Sequence, residues 1–252
     1  MTANAALVTG AGDRLGKAMA LSLGAAGYAV AVHYNSSADK ARAVADAIIA
    51  QGGAADVFPA NLSDEGDTAS LIARARDALG PLRLLVNSAS LFEADDIDDM
   101  TRATWDAHLD TNLRAPLKLA QDFVSQIDET ADNLIVNLID QRVWKLTPQF
   151  LSYTTSKAAL WTVTQTLAQA LGPRSVRVNA IGPGPTMRNK RQSEDDWRKQ
   201  NEATVLGRGA TPDDIVAALH YLIAAKAVTG QMIAIDGGQH LAWQTPDVMV
   251  NE

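Results

Sequence analysis

Two side chains with complementary proton chemistry lie close together in the segment YTTSK. Tyr153 and Lys157 are four residues apart there, and the segment runs into the helix-forming stretch AALWTVTQTLAQAL. At this spacing a phenol and an ammonium group project from one face of a helix. A nearby lysine favours the phenolate, so it is expected to lower the tyrosine pKa from about 10 towards neutral pH, where a proton donor works best. Two surface residues of a helix would show the same spacing.

The order of apolar runs and helical stretches predicts the scaffold that positions this pair. Strands are predicted at 5–9, 29–33, 55–58, 82–87, 133–138, 175–180 and 231–235, and helices at 14–26, 38–51, 64–78, 101–126, 151–171, 193–203 and 212–225. Such alternation is typical of a parallel sheet with helices on both faces. The sequence therefore predicts an α/β fold: a single doubly wound Rossmann domain over residues 1–252, with seven parallel strands in the order 3-2-1-4-5-6-7. Its ligand is expected at the carboxyl ends of the strands.

A glycine-rich turn follows the first predicted strand. The sequence TGAGDRLG places Gly10, Gly12 and Gly16 between that strand and a helix. Glycines let the backbone turn tightly and approach a pyrophosphate, whose charge then meets the N-terminus of the helix. The spacing differs from the commoner G-x-G-x-x-G, and a purely structural turn would look the same. Its place between strand and helix favours a dinucleotide site.

The end of the second predicted strand indicates which dinucleotide is bound. A site for NAD would place a carboxylate there, on the ribose 2′-hydroxyl. In the segment AVHYNSSADK, however, the first carboxylate is Asp39. The donors in this region suit a 2′-phosphate instead: Arg14, His33, Asn35, Ser36 and Ser37. The sequence therefore predicts NADP, with a solvated surface charge as the alternative role for Arg14.

The composition excludes several classes of function. The net charge is −7, and the one basic run, at 188–191, is followed at once by acidic residues, which argues against a nucleic-acid partner. The chain has no cysteine, which excludes disulfides, thiolate nucleophiles and cysteine-based zinc sites. No metal site is expected, since the four histidines lack a metal-ligand spacing. Nothing resembles a signal peptide or a membrane span, so a cytoplasmic enzyme acting on a small molecule is predicted.

Five motifs in order along the chain resemble the short-chain dehydrogenase/reductases. They are TGAGDRLG, the segment 87–90 (NSAS), Asn112, YTTSK and GPGPT after the sixth strand. The resemblance covers essentially the whole chain. It implies that Tyr153 is the proton donor, that Lys157 holds the nicotinamide ribose, and that Asn112 supports a water relay behind the lysine.

The same resemblance implies a set of residues that bind the cofactor NADPH. Pro183 and Gly184 would pass over the nicotinamide, and Asn61 stands where the family often has an acidic residue near the adenine. The full set is Gly10, Gly12, Arg14, Leu15, Gly16, His33, Tyr34, Asn35, Ser36, Asn61, Leu62, Asn87, Ala89, Ser90, Lys157, Pro183 and Gly184.

The chain departs from this family thirteen residues before Tyr153. Most members have a serine there that bonds the substrate carbonyl, whereas this chain has Asp140 in NLIVNLIDQRVW. A carboxylate facing a carbonyl oxygen would repel the developing oxyanion. An acid suits a C=N target, because the nitrogen needs a proton when hydride reaches the carbon. Alternatively, Asp140 only caps the loop after the fifth strand.

Asp140 followed by YTTSK resembles a narrower group, the pteridine reductases and the related bacterial dihydromonapterin and dihydrofolate reductases. HYNSSADKA, NSASLF and DGGQHL also match that group. In this reading Phe92 stacks on the flat pterin, although it could equally pack in the core or plug a loop. The substrate-binding set is Arg14, Ser90, Phe92, Asp140, Tyr153 and Gly184.

The implied reaction transfers hydride from NADPH to C6 of a dihydropterin and a proton to N5, and dihydrofolate is a further candidate substrate. Residues 185–204 are predicted to form a lid. A ketone reductase, such as one acting on 3-oxoacyl thioesters, and a non-catalytic NADPH sensor are the alternatives. Small residues along the helix at 151–171 suit close packing between subunits, and the family resemblance implies a homotetramer, although an intramolecular contact would give the same pattern. These small residues are Ala158, Thr162, Thr166 and Ala170.

Overall fold

The fold, given by a computed structural model that describes residues 4–249, is built on one parallel sheet. The strand order is β3-β2-β1-β4-β5-β6-β7, so the predicted topology is confirmed. The strands are β1 (Ala5–Val8), β2 (Ala29–Tyr34), β3 (Ala54–Pro59), β4 (Leu82–Asn87), β5 (Asn133–Leu138), β6 (Val176–Pro183) and β7 (Met232–Ile235). The first and last three residues of the predicted 1–252 domain lie outside the described residues.

Eight α-helices connect the strands across residues 4–249. They are α1 (Arg14–Ala25), α2 (Ala38–Ala50), α3 (Glu65–Leu79), α4 (Arg102–Leu109), α5 (Ala115–Val124), α6 (Leu151–Leu171), α7 (Glu194–Glu202) and α8 (Pro212–Ala224). Within these residues, no helix combines the length and the apolar character needed to cross a membrane.

Two apolar clusters hold the helices on the sheet. In β1, Ala5 and Leu7 face one cluster with residues of α3, α5 and α6, while Ala6 and Val8 face a second cluster with residues of α1, α2 and α8. Side chains alternate between the faces of a strand, so four consecutive apolar residues bury both sides of the sheet. Polar residues therefore lie in the loops at the carboxyl ends of the strands.

The prediction of one continuous helix at 101–126 is wrong, because the helix is interrupted in its middle. A single π-helical turn at Asp110–Arg114 separates α4 from α5, and the Ala115 amide bonds the Asp110 carbonyl five residues back. Pro116, in the first turn of α5, has no amide proton to donate to the carbonyl four residues earlier. The proline therefore accounts for the interruption, which sets Asn112 apart from a regular helix, as is common at functional sites.

Candidate active site

Tyr153 and Asp140 meet where β5 ends and α6 begins. The Tyr153 hydroxyl donates a hydrogen bond to Asp140 Oδ2 at 2.9 Å. The other carboxyl oxygen, Oδ1, accepts from the Arg142 amide at 2.7 Å and caps the 3₁₀ turn Gln141–Val143. Asp140 thus has the geometry of both roles that the sequence left open, partner of the tyrosine and cap of the loop.

Burial raises the pKa of both members of this pair. Desolvation, and then the negative charge of Asp140, raise the pKa of Tyr153 well above its ordinary value. Desolvation likewise raises the pKa of Asp140 against the opposing effects of its hydrogen bonds from Arg142 and Tyr153. The expectation that Lys157 lowers the tyrosine pKa is therefore wrong for this arrangement, in which burial and the carboxyl group dominate.

Lys157 lies deeper than its partner and bonds to the backbone. Its Nζ donates to the Leu138 carbonyl at 2.7 Å and lies 5.9 Å from the centre of the Tyr153 ring. Burial lowers the pKa of Lys157 to about 8. The ammonium group is therefore held by the main chain, over the face of the phenol ring.

Asn112 joins the π turn to the loop after β4 through three hydrogen bonds. Its Oδ1 accepts from the Leu91 amide at 2.8 Å, and its Nδ2 donates to the Leu91 carbonyl at 2.9 Å. Ser90 Oγ also donates to Asn112 Oδ1 at 3.2 Å, while Asn112 Nδ2 reaches Ser156 Oγ at 3.1 Å. Asn112 therefore fixes the loop after β4. Ser90, which was predicted to bind both the cofactor and the substrate, is hydrogen-bonded to Asn112.

The glycine-rich turn has the close packing that a dinucleotide site requires. Gly10 has a φ of +64°, which only glycine adopts without strain, and a Cβ on Gly16 would lie 2.2 Å from the Gly10 carbonyl oxygen. Gly12 packs against the backbone of Ala41. The backbone can therefore approach a pyrophosphate at the N-terminus of α1, as predicted from the sequence.

His33 holds this turn and is not placed as a phosphate ligand. Its Nδ1 accepts from the Gly10 amide at 3.0 Å, and its Nε2 lies 3.1 Å from the Ala60 carbonyl. The ring is 1% exposed, and desolvation lowers its pKa to about 4. Neutral His33 therefore has both nitrogens engaged, and the prediction that it donates to a 2′-phosphate is corrected to a supporting contact.

Arg14 contacts the predicted lid segment through its side chain. Its guanidinium donates to the carbonyls of Met187 and Arg188, at 2.8 and 3.0 Å, and so ties the start of α1 to residues 185–204. Asn35 and Ser36 are exposed at the end of β2, as the prediction of a phosphate site requires. A cleft of about 400 Å³ adjoins Asn35; its lining includes Asn61 and Arg74, a cation that the sequence reading missed.

The remaining predicted cofactor residues divide into polar and packing roles. Asn87 donates to Asn137 at 2.8 Å, and the Oδ1 of Asn87 is buried without a hydrogen-bond partner at the end of β4. Three other residues contribute mainly apolar contacts to the two clusters: Leu15, Tyr34 and Leu62. Two more are closely packed. The Cα of Ala89 limits the space at Gly10. Gly184, which follows Pro183 at the end of β6, packs on Asp236.

Phe92 lies beside the tyrosine, but its ring stacks on another aromatic side chain. The Phe92 and Phe150 rings are 4.4 Å apart and nearly parallel, and Tyr153 meets Phe92 edge-on at 4.6 Å. The Arg191 guanidinium lies over Phe92 and bonds Glu93 and the Phe92 carbonyl. The sequence reading missed Phe150 and Arg191, and no local pattern marks either one.

Most of the chain matches one known protein family. The family described as enoyl-(acyl carrier protein) reductase matches residues 10–240. The chain belongs to the short-chain dehydrogenase/reductases. A 3-oxoacyl-[acyl-carrier-protein] reductase, FabG, of Staphylococcus aureus is 31% identical to this short-chain dehydrogenase/reductase over 94% of the chain and 98% of the relative.

Solved structures of other short-chain dehydrogenase/reductases are similar over nearly the whole chain. FolM alternative dihydrofolate reductase 1 from Brucella suis, solved with NADP, has a TM-score of 0.94 at 48% identity, covering 98% of this chain and 99% of that one. A short-chain dehydrogenase from Burkholderia cenocepacia, also with NADP, has a TM-score of 0.88 at 32% identity, covering 94% and 97%. The cofactor of these neighbours agrees with the one predicted from the sequence.

Proposed function

We propose that the chain uses NADPH to reduce a dihydropterin to its tetrahydro form. The observation that carries the proposal is the 2.9 Å hydrogen bond between Tyr153 and a desolvated Asp140. Support also comes from the 48% identity to a protein described as an alternative dihydrofolate reductase.

The residues around the glycine-rich turn fit the cofactor. A Cβ at Gly16 would clash with the Gly10 carbonyl, so glycine there keeps the turn tight against the start of α1, and Asn87 has a buried carbonyl oxygen without a hydrogen-bond partner. NADPH, when bound, supplies the hydride that goes to C6 of the pterin. Asn35 and Ser36, exposed beside the 400 Å³ cleft, would hold its 2′-phosphate, and Lys157 the nicotinamide ribose.

The proton comes from the Tyr153 and Asp140 pair. Hydride addition at C6 of a C=N bond leaves an electron pair on N5, which takes a proton from the nearby acid. The raised pKa of Asp140 keeps a proton on the carboxyl at higher pH, and the phenol is protonated throughout the neutral range. The pair then regains a proton from solvent, so that the reaction consumes one hydride and one proton.

A ketone reductase is the second candidate, and two observations favour it. The relatives include FabG proteins that are 31% identical to this chain. In addition, the raised pKa of Asp140 reduces the expected repulsion of an oxyanion, because a protonated carboxyl donates a hydrogen bond. The electrostatic argument from the sequence is therefore weaker than expected, and substrate turnover has to separate the two candidates.

NADPH oxidation with three substrates tests the proposal. Dihydrobiopterin, dihydrofolate and an acetoacetyl thioester are compared beside a direct titration of NADPH. We expect the two pterin substrates to be turned over at least about tenfold faster than the thioester, the scale of one general acid. Turnover of the thioester alone would establish the ketone reductase, and binding of NADPH without any turnover would establish the sensor.

We further propose a cytoplasmic homotetramer that packs along α6. Thr162, Thr166 and Ala170 are exposed on this helix in the single chain, which argues against an intramolecular contact as the reason for the small residues there. Close helix packing between subunits would use such a face. Light scattering of the purified protein gives its mass, and a monomeric mass would contradict the assembly.

A further inference from the structure

The N-terminus of α6 lacks the cap that its own sequence should supply. A helix leaves its first amide groups without internal partners, and a short polar side chain at the cap normally binds one of them. Here the cap residue is Phe150, which has a left-handed backbone with φ of +58° and no side chain able to accept. The helix nevertheless carries Tyr153 in its first turn.

Asp95, from the loop between β4 and α4, supplies the missing acceptors. Its backbone carbonyl accepts from the Phe150 amide at 2.7 Å and from the Leu151 amide at 3.3 Å. Its side chain accepts from the Ser152 amide at 3.2 Å, through Oδ1, and from the Ser152 hydroxyl, through Oδ2. Three consecutive amides before Tyr153 are thus bound by one residue, which is only 5% exposed.

A buried histidine continues the same network. The Glu93 amide donates to His108 Nε2 at 3.1 Å, so in neutral His108 the proton is on Nδ1. Burial lowers the pKa of His108, which favours this neutral form. Nδ1 lies 3.0 Å from the Thr104 carbonyl and 2.7 Å from Ser152 Oγ, so its proton is shared between these two acceptors, and the Ser152 hydroxyl in turn donates to the Asp95 carboxylate. A buried network whose members are all satisfied holds one geometry.

We propose that Asp95 is a positioning residue that sets Tyr153 against Asp140. Its loop also carries Ser90 and Phe92, and its carboxylate holds the first turn of α6, so Asp95 links two segments that line the site. A negative charge at a helix N-terminus is favourable, which suits a long helix such as α6. The inference rests on the proposed function only in assigning the reaction that Tyr153 serves.

The variant Asp95→Ala tests the role with two readouts. Amide hydrogen exchange needs no substrate, and we expect exchange at Ser152 to rise about tenfold or more, because the substitution removes the acceptor of its amide while the Asp95 carbonyl still binds the amides of Phe150 and Leu151. Turnover is measured with whichever of the three substrates the wild type reduces. There, kcat is expected to fall about tenfold while the Kd for NADPH stays within about twofold, since a misplaced donor affects the chemical step rather than cofactor binding.

The matched control is Asp132→Ala. Asp132 pairs with Arg177 and Lys226 away from the site. Its loss should lower Tm without changing exchange at Ser152 or kcat. Asp95→Asn keeps one acceptor and the side-chain size, so it should fall between Asp95→Ala and wild type, and it replaces Asp95→Ala if that variant does not fold. A folded Asp95 variant with wild-type exchange and kcat, and only a lower Tm, would overturn the proposal.

Discussion

The candidate site has a cofactor end, at the glycine-rich turn, and a substrate end, at Phe92 and residues 185–204. Different kinds of contact hold these two ends. At the cofactor end, the glycine-rich turn is held by backbone packing and by His33, which is 1% exposed. At the proposed substrate end, residues 185–204, the predicted lid, are held by Arg14 on two carbonyls and by the pair of Arg191 and Glu93, whose side chains are 47% and 57% exposed. Exposed ion pairs contribute about 0–1 kcal/mol, whereas buried and satisfied groups are costly to disturb. The cofactor end is therefore preformed, while the substrate end can open at small cost.

The largest effect is expected from removing the acid at the boundary between the two ends. Asp140→Ser keeps an oxygen able to cap Arg142 but has no carboxyl to share protons with Tyr153. Pterin turnover should fall by more than about tenfold, the low end of a general acid's contribution. NADPH affinity, measured by titration, should stay near wild type, and unchanged turnover would remove Asp140 from the mechanism.

The pH dependence of turnover should locate the same acid. Because the pKa of Asp140 is raised, its proton is retained at low pH and lost as pH rises through that pKa. Turnover with saturating NADPH is therefore expected to fall with rising pH, by up to about tenfold per unit above the pKa of the acid. Asp140→Asn cannot lose a proton there, so this variant should be slow and should lack that decline; an identical decline in the variant would assign it to another group.

His33→Phe should damage the cofactor end alone. The substitution keeps a flat ring but leaves the Gly10 amide without an acceptor, and an unsatisfied buried group costs about 1–3 kcal/mol. We expect the Kd for NADPH to rise about tenfold, at about 1.4 kcal/mol per factor of ten, with kcat at saturating NADPH unchanged. His33→Asn, which retains an acceptor at the position of Nδ1, is the control.

In the wild type, the hydrogen bond from the Gly10 amide to His33 should depend on pH. The pKa of His33 lies at about 4, below its ordinary value, so the neutral ring and its bond to Gly10 are kept at higher pH and lost as pH falls towards 4. NADPH binding that weakens between pH 8 and 6 in parallel with histidine protonation would contradict this assignment.

The smallest effect is expected at the lid. Arg191→Gln removes the ion pair with Glu93 and the cation over Phe92. An exposed pair of this kind changes affinity by about fivefold at most, so KM for the pterin should rise about two- to fivefold with an unchanged Kd for NADPH. Arg198→Gln breaks contacts with Asp195 and Glu202 in the same segment but away from Phe92, and it should leave both constants unaltered. A tenfold change in kcat for Arg191→Gln would mean that the segment around Arg191 and Phe92 is as rigid as the glycine-rich turn.

Most of the scaffold could be predicted from local sequence patterns. Apolar runs and turn residues predicted seven strands within a few residues of their positions. The contact between Asp140 and Tyr153 was anticipated from the family resemblance, in which the position of Asp140 faces the tyrosine's substrate. These features follow from periodicity and from motif position. The π turn was missed because the reading followed the helical pattern through Pro116 instead of treating it as a break.

Side-chain direction was the part that the sequence could not determine. His33 was predicted as a phosphate ligand from its type and position, yet its ring turns inward to Gly10. The hydrogen bonds from Arg14 to the Met187 and Arg188 carbonyls were not predicted either. The lysine's expected effect on Tyr153 was wrong because burial of the phenol outweighs it. Asp95 and Ser152 are 57 residues apart, so their contact left no local signal in the sequence.

Asn112 has a consequence for what this position can accept. Its carboxamide offers Leu91 one donor and one acceptor, in the way that a neighbouring strand would, although the loop has no such strand beside it. A carboxylate would confront the Leu91 carbonyl with a second acceptor, and an alanine would leave both main-chain groups unmatched. The Asn112 side chain therefore pairs with Leu91 as one residue of a neighbouring strand would, and it holds an irregular segment of chain in place beside α6.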